Sequence, residues 1–200
     1  CAACEIANRI AQTIKKLLAA HNILQDSLLA VGLGVPGSIN LAEGVITKAP
    51  NLGWENVPFA EMVSRQIEHI PVVLENDANA ALRYEMTSGV ACGIRNAVLV
   101  TIGTGIGSGV AIDGKIYNGS GGAVECGHTV IVANGLPCSC GRLGCLEMYA
   151  SATALIRMTK EAMESNRNSA MWQLVEARGG EIRGDVAFQA AKSGDSSAAA

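Results

Sequence analysis

Pro71-Val72-Val73-Leu74-Glu75-Asn76-Asp77-Ala78-Asn79-Ala80 runs from a short apolar segment through a polar turn into small, helix-compatible residues. Residues 71–75 have the length and β-branched content of a buried strand, and 77–86 read as a helix that Gly89 closes. In an open α/β sheet the ligand crevice lies where strands give way to helices, so Glu75-Asn76-Asp77 marks a candidate site. Asp77 has two compatible readings there. One is a helix N-cap accepting backbone N–H groups; the other is a base that takes a proton from a hydroxyl nucleophile.

The flanking sequence extends this pattern. Ile6, Ile10, Ile14, Leu17 and Leu18 recur at helical spacing opposite Lys15 and Lys16, so the first twenty residues predict an amphipathic helix. Residues 28–35 form a continuous apolar and glycine run, the mark of a strand buried on both faces, which Pro36-Gly37 breaks. A short strand is expected at 45–47, a loop over 49–57, and a helix from Pro58 to about His69. Helix, strand, helix, strand, helix is an α/β order with a mainly parallel sheet. A second unit begins after Gly93, with a buried strand at 97–102, a glycine-rich turn, a strand at 109–112 and an Asp113-Gly114 hairpin into 115–117. Residues 119–144 are rich in Gly and Cys; helices are expected at 146–164 and 185–192. The domain boundary is expected between 94 and 95, giving lobes at 1–94 and 95–200. A chain that opens on Cys1 already inside a helical pattern, and closes on 196–200 without a clear finish, is expected to be part of a longer protein.

A formal net charge of -3 with 16% charged residues and no block of like charges gives no electrostatic reason for a nucleic-acid or membrane surface. No apolar run reaches bilayer length and no signal-peptide plan opens the chain, so the cytoplasm is the default location. Seven cysteines, an odd number with three of them within residues 138–145, fit a disulfide framework poorly and a metal site well. Cys1 and Cys4 spell C-x-x-C at the start of a helix with no strand before them, and read as small apolar helix residues.

The strongest chemical signal is His128, Cys138, Cys140 and Cys145, spaced H-x9-C-x-C-x4-C. Three thiolates and one imidazole complete a tetrahedral zinc site and leave no position for water, so the metal would be structural. The plainer alternative is a group of buried cysteines with an unrelated histidine. Thr101-Ile102-Gly103-Thr104-Gly105-Ile106-Gly107 joins two strands by a turn whose amides can face an anion, with the Thr104 hydroxyl as a further donor; taken alone it is also an ordinary tight turn. Gly32-Leu33-Gly34-Val35-Pro36-Gly37 matches G-x-G-x-x-G, but residues 38–46 carry no helical stripe, so no helix amino end is there to meet a pyrophosphate. Those glycines let backbone lie close to a ligand instead. Glu125, His128 and Glu147 share the Cys-rich segment and could converge on a polyhydroxylated ligand; singly, each acid reads as a solvated surface group.

Taken in order, Glu75-Asn76-Asp77-Ala78-Asn79-Ala80, Gly103-Thr104-Gly105-Ile106-Gly107, Glu125-Cys126-Gly127-His128 and Cys138-Ser139-Cys140-Gly141-Arg142-Leu143-Gly144-Cys145-Leu146-Glu147 closely resemble the motif series of the ROK (repressor, open reading frame, kinase) family. The resemblance implies a two-lobed actin-like ATPase (ribonuclease H-like) α/β fold, incomplete in this chain, and a sugar kinase of glucokinase type. It implies Asp77 as catalytic base, Asn76, Glu125, His128 and Glu147 on sugar hydroxyls with Gly37 close by, and Gly103, Thr104, Gly105 and Gly107 at the ATP phosphates. It also implies structural Zn2+ on His128, Cys138, Cys140 and Cys145, and ATP with Mg2+. The expected partners are a hexose, ATP and further copies of the chain, as a homodimer or homotetramer.

The chain departs from the family pattern in several places. The Asp-x-Gly-Gly-Thr strand of family kinases does not occur here, nor does the segment that helps enclose adenine. Ser108 stands at a common glycine of the phosphate hairpin, and Val124 at a common glycine before the sugar-binding Glu. The rival reading is the sugar-sensing effector domain of a ROK-type repressor, whose nucleic-acid contact would need a helix-turn-helix outside these residues.

Overall fold

The computed structural model describes residues 2–119 and 124–199. Cys1, Ala200 and part of the Gly-rich segment, 120–123, lie outside the described residues, and with Cys1 goes half of the C-x-x-C pair. Internal packing divides the chain into two compact units, Cys1–Val100 with Ser108–Val124, and Thr101–Gly107 with Glu125–Ala200.

In the first unit α1 (Ala2–Ala20) buries Ala3, Ala7 and Ala11 at a spacing of four, while Ile6, Ile10 and Ile14 pack half-buried beside them. The small alanines let the helix axis approach α2 (Phe59–Ser64) and the 3-10 turn Arg65–Ile67. Cys4 is exposed on the outer face. β1 (Val31–Val35) pairs in parallel with β5 (Val72–Asn76), Val31 facing Val72 and Val35 facing Asn76. β2 (Ser38–Asn40), β3 (Val45–Ala49) and β4 (Trp54–Val57) form an antiparallel sheet in that order. The core between these layers holds Ile46, Phe59, Val63, Ile67 and Leu74, with Trp54 tilted against Phe59 at a ring separation of 5.0 Å. α3 (Asp77–Ser88) follows β5 directly, and Gly89 donates its N–H to the last-turn carbonyls of Tyr84 and Glu85.

Several expectations need correction. The 28–35 run is not buried on both faces: Leu29 is 88% exposed and Gly32 and Gly34 are exposed, because among the described strands β1 pairs with β5 alone and its glycines carry no side chain to bury. The expected loop at 49–57 contains β4, whose Trp54 turns into the core while Glu55 and Asn56 face out. The helix after Pro58 stops short of His69, since Glu68 and His69 adopt φ of 58° and 63°. β1–β5 is parallel, but β2–β3, β3–β4 and β7–β8 are antiparallel, where a mainly parallel sheet was expected.

β6 (Ala97–Ile102), β7 (Ile106–Ile112) and β8 (Lys115–Ile116) form a third sheet in that order. Asp113 and Gly114, at φ 52° and 80°, supply the paired positive φ of the expected β7–β8 turn. β6 was expected to be buried, yet Val98, Val100 and Ile102 are exposed.

The second unit carries the 3-10 turn Cys126–His128 and the helices α4 (Glu147–Ala150), α5 (Ala152–Ser165), α6 (Met171–Glu176), α7 (Val186–Lys192) and α8 (Ser196–Ala199). Met163, Met171, Val175, Val186 and Ala190 form its small apolar core. The helix expected over 146–164 is two, because Ser151 is extended and its hydroxyl accepts the Ala154 N–H as the cap of α5. No described helix is long and apolar enough to cross a membrane.

Candidate functional site

The first unit brings together Gly37, Asn76 and Asp77. Asn76 is the N-cap of α3: its Oδ1 accepts the N–H groups of Ala78 at 3.0 Å and Asn79 at 3.2 Å. Its Nδ2 donates to the Gly37 carbonyl at 3.3 Å, and the residue is buried. Gly37 has φ +92°, and a Cβ there would meet the Lys48 carbonyl at 2.2 Å, so only glycine lets the start of β2 turn this carbonyl toward Asn76. The capping duty that sequence alone offers to Asp77 thus falls mainly on Asn76. Asp77 is the exposed first residue of the helix, with Oδ1 2.9 Å from the N–H of its neighbour Ala78. An Asn76 amide with one spare N–H beside an open carboxylate suits a hydroxyl-bearing ligand better than an apolar one.

The second unit holds the remaining candidates. Glu125 is exposed, and its carbonyl accepts the His128 N–H at 3.1 Å, which folds the 126–128 turn. His128, Cys138, Cys140 and Cys145 offer four ligand atoms that all lie within 4.8 Å of one another. Cys140 Sγ and Cys145 Sγ are 3.7 Å apart and Cys138 Sγ and His128 Nδ1 3.5 Å apart. A tetrahedron with Zn–S of about 2.3 Å and Zn–N of about 2.0 Å has edges of about 3.8 and 3.5 Å, so the donor set fits zinc in chemistry and these two pairs fit it in spacing. Gly144 is required for this: at φ +78° its Cβ would stand 1.7 Å from the Val132 carbonyl. The loop is laced by backbone bonds, Ile131 N–H to Gly144 at 2.9 Å, Gly144 N–H to Leu136 at 2.7 Å and Cys138 N–H to Arg142 at 2.9 Å.

The three thiols differ electrically. Burial and the nearby Glu147 carboxylate push Cys138 up to about 12, against a lowering backbone hydrogen bond at Cys140. Cys145 is likewise raised, chiefly by burial. For Cys140 burial also raises the value, but hydrogen bonds from the Arg142 side chain and backbone outweigh it and bring the thiol down to about 6. Cys140 is thus the most readily ionised of the three thiols, and a bound dication would favour the thiolate form of all of them.

Glu147 connects this cluster with the glycine-rich turn. Its Oε1 accepts from the Cys138 thiol at 3.0 Å and lies 3.3 Å from His128 Nδ1. Its Oε2 would be 2.8 Å from a Cβ at Gly105, so a side chain at 105 would displace the carboxylate. Gly103 and Thr104 are exposed at the tip, Gly105 and Gly107 half-buried. The tip is moored to α5, with the Ala152 N–H on the Gly103 carbonyl at 2.8 Å and the Thr153 hydroxyl on the Thr104 carbonyl at 2.7 Å.

Sequence reasoning missed three supports. Tyr149 Oη accepts the Leu136 N–H at 2.8 Å and pins the Cys-rich loop. Thr153 moors the turn, and Asn79 ties α3 to Asn118. The Tyr149 and Asn79 contacts join residues 13 and 39 apart, a pairing that no local pattern encodes.

A profile described as "ROK family" matches residues 2–200. The chain belongs to the ROK family. A glucokinase of Halalkalibacterium halodurans is 40% identical over 166 residues, 82% of this chain and 50% of that protein. A xylose repressor of Caldicellulosiruptor bescii is 37% identical over 172 residues, 84% of this chain and 41% of that protein. Among solved structures, a ROK family glucokinase from Streptomyces griseus in complex with glucose and AMPPNP superposes with a TM-score of 0.78 at 34% identity, covering 94% of this chain and 61% of that one. The fold is thus of the actin-like ATPase class, and the chain spans about half the length of the curated relatives it matches. ROK kinases and ROK regulators both stand among its relatives.

Proposed function

We propose that the whole protein phosphorylates a hexose, with glucose the expected sugar and ATP the donor, and that Asp77 is its general base. The observation that carries this reading is the division of labour at the head of α3: Asn76 caps the helix, which leaves an exposed carboxylate at a strand end with its structural duty largely met. The glucokinase relatives, one of them bound to glucose and AMPPNP, support the same chemistry. Gly37, Asn76, Glu125, His128 and Glu147 would contact the sugar together with Asp77; Gly103, Thr104, Gly105 and Gly107 would lie along the ATP phosphates, with Mg2+ accompanying the nucleotide. His128, Cys138, Cys140 and Cys145 would hold a structural Zn2+, with Nδ1 of His128 on the metal and Nε2 left as a fixed donor to a sugar hydroxyl. Phosphoryl transfer asks the protein mainly for positioning and charge stabilisation, so Asp77 orients the hydroxyl and accepts its proton as attack proceeds. Lobes at 1–94 and 95–200, a homodimer or homotetramer, and a cytoplasmic location complete the proposal.

Asp77→Asn keeps the shape of the side chain and removes its basicity. The expected result in the whole protein is a fall in kcat of about 10²- to 10⁴-fold with sugar affinity by calorimetry within about three-fold. Near-normal turnover would return Asp77 to a structural role. The second reading, a sugar-sensing effector domain of a repressor, is favoured by the xylose repressor relative. Wild-type protein that binds a sugar and never phosphorylates it would establish that reading instead.

A further inference from the structure

Asn79 lies in the first turn of α3, two residues after Asp77, and is wholly buried. Its Nδ2 donates twice, to Glu75 Oε1 at 3.3 Å and to Asn118 Oδ1, just beyond β8, at 3.0 Å. Glu75 in turn accepts the Asn76 N–H at 3.1 Å on Oε1 and Arg83 at 3.1 Å on Oε2. The Asn79 backbone N–H meanwhile binds Asn76 Oδ1. A ring of hydrogen bonds therefore surrounds Asp77 without touching its carboxylate. The members differ in weight. Arg83 is more than half exposed, so its ion pair with Glu75 is screened and contributes little. Asn79 itself is wholly buried, where a donor left without an acceptor is costly.

The cap bonds and the Asn79–Glu75 bond fix the first turn of α3 to β5, the strand that leads into it. Asn118 supplies a second attachment from another sheet, against which α3 also packs. We propose that Asn79 and Asn118 are positioning residues: held by the Asn118 carbonyl oxygen, Asn79 fixes the first turn of α3 and with it the direction of the Asp77 carboxylate toward the reacting hydroxyl. The inference rests on Asp77 acting as the base, and it adds a residue from outside the motif that carries Asp77. A misdirection of about 1 Å at a reacting group costs on the order of 10²-fold in rate, which sets the scale.

The test compares Asn118→Ala, which removes the acceptor, with Asn118→Asp, which keeps one, in the whole protein with Asp77→Asn alongside. Asn118→Ala is expected to lower kcat by about 10- to 100-fold with KM for the sugar within about three-fold. Asn118→Asp is expected to recover most of the loss. Hydrogen exchange of the Asn79 side-chain amide, followed by NMR, gives a readout independent of turnover: faster in Asn118→Ala, near wild type in Asn118→Asp. Unchanged kcat in Asn118→Ala, equal losses in both variants, or unchanged Asn79 exchange would each overturn the proposal while Asp77→Asn stays inactive. Turnover retained by Asp77→Asn is a different failure; it overturns the base assignment and removes the catalytic role of the clamp with it.

Discussion

The head of α3 and the Cys-rich loop both hold polar side chains in fixed directions, and they do it by different means. At the helix head the chain supplies its own partners: Asn76 caps, Gly37 and Asn118 anchor, and Leu74 and Leu82 are buried on either side in sequence. In the loop Val130, Ile131, Val132 and Leu143 are exposed, so little apolar surface leaves water on folding, and backbone bonds laid over that surface are weakly protected. Cys138 and Cys145 are buried there, close to His128 and Cys140. The helix head is therefore set by folding, whereas the directions of His128 and Glu147 are set by whatever holds the four ligands together.

The contrast breaks most visibly at Gly144. Gly144→Ala forces a Cβ against the Val132 carbonyl at positive φ, and should cost about 3 kcal/mol or more of loop stability and abolish zinc retention. Gly53→Ala, also at positive φ but in open space, should cost about 1 kcal/mol and leave zinc in place. Elemental analysis and thermal unfolding of both variants check this. Equal zinc content in the two would mean the loop does not depend on that close approach.

A smaller effect separates two parts of the second unit by pH. Asp195 accepts the Ser169 hydroxyl at 2.7 Å and the backbone N–H groups of Ala170, Ser197 and Ala198; the Ser169 bond above all holds its carboxyl below the usual 3.8, against the opposing effect of burial. Its folded pKa is depressed, so its stabilisation is present above the unfolded value and is lost as pH falls from about 4 through the lower folded value. Metal ligands take up protons at higher pH than this, since thiolates and imidazole must be deprotonated to bind. Acid titration should therefore release zinc first and loosen the α6–α8 cluster later. Asp195→Asn should remove the second transition and leave the first; coincident transitions would join what the structure separates.

Much of this was legible in the sequence. Asp113-Gly114 marked a hairpin because the pair supplies a backbone conformation that few other residues accept, and Gly89 marked the end of α3. The H-x9-C-x-C-x4-C spacing picked out four side chains whose donor atoms come within 4.8 Å of one another, because the loop folds on itself locally. Burial was less legible: a run such as 28–35 looks like a doubly covered strand, but coverage depends on which strands and helices come to lie beside it, and Leu29 and Val73 are exposed. The break at Ser151 was hidden inside an unbroken helical stripe, where a cap residue is indistinguishable from an ordinary polar position. The Asn79–Asn118 bond was invisible because it depends on tertiary packing.

Amide hydrogen exchange before and after removal of metal by a chelator tests the central contrast most directly. The reporters are the N–H groups of Ile131, Cys138 and Gly144 in the loop and of Ala78 and Asn79 at the helix head. Bound zinc is expected in protein prepared without chelator; its removal should speed exchange at the three loop amides by about 100-fold or more and leave the two helix-head amides unchanged. Loop amides indifferent to chelation, or helix-head amides that accelerate with them, would contradict that contrast.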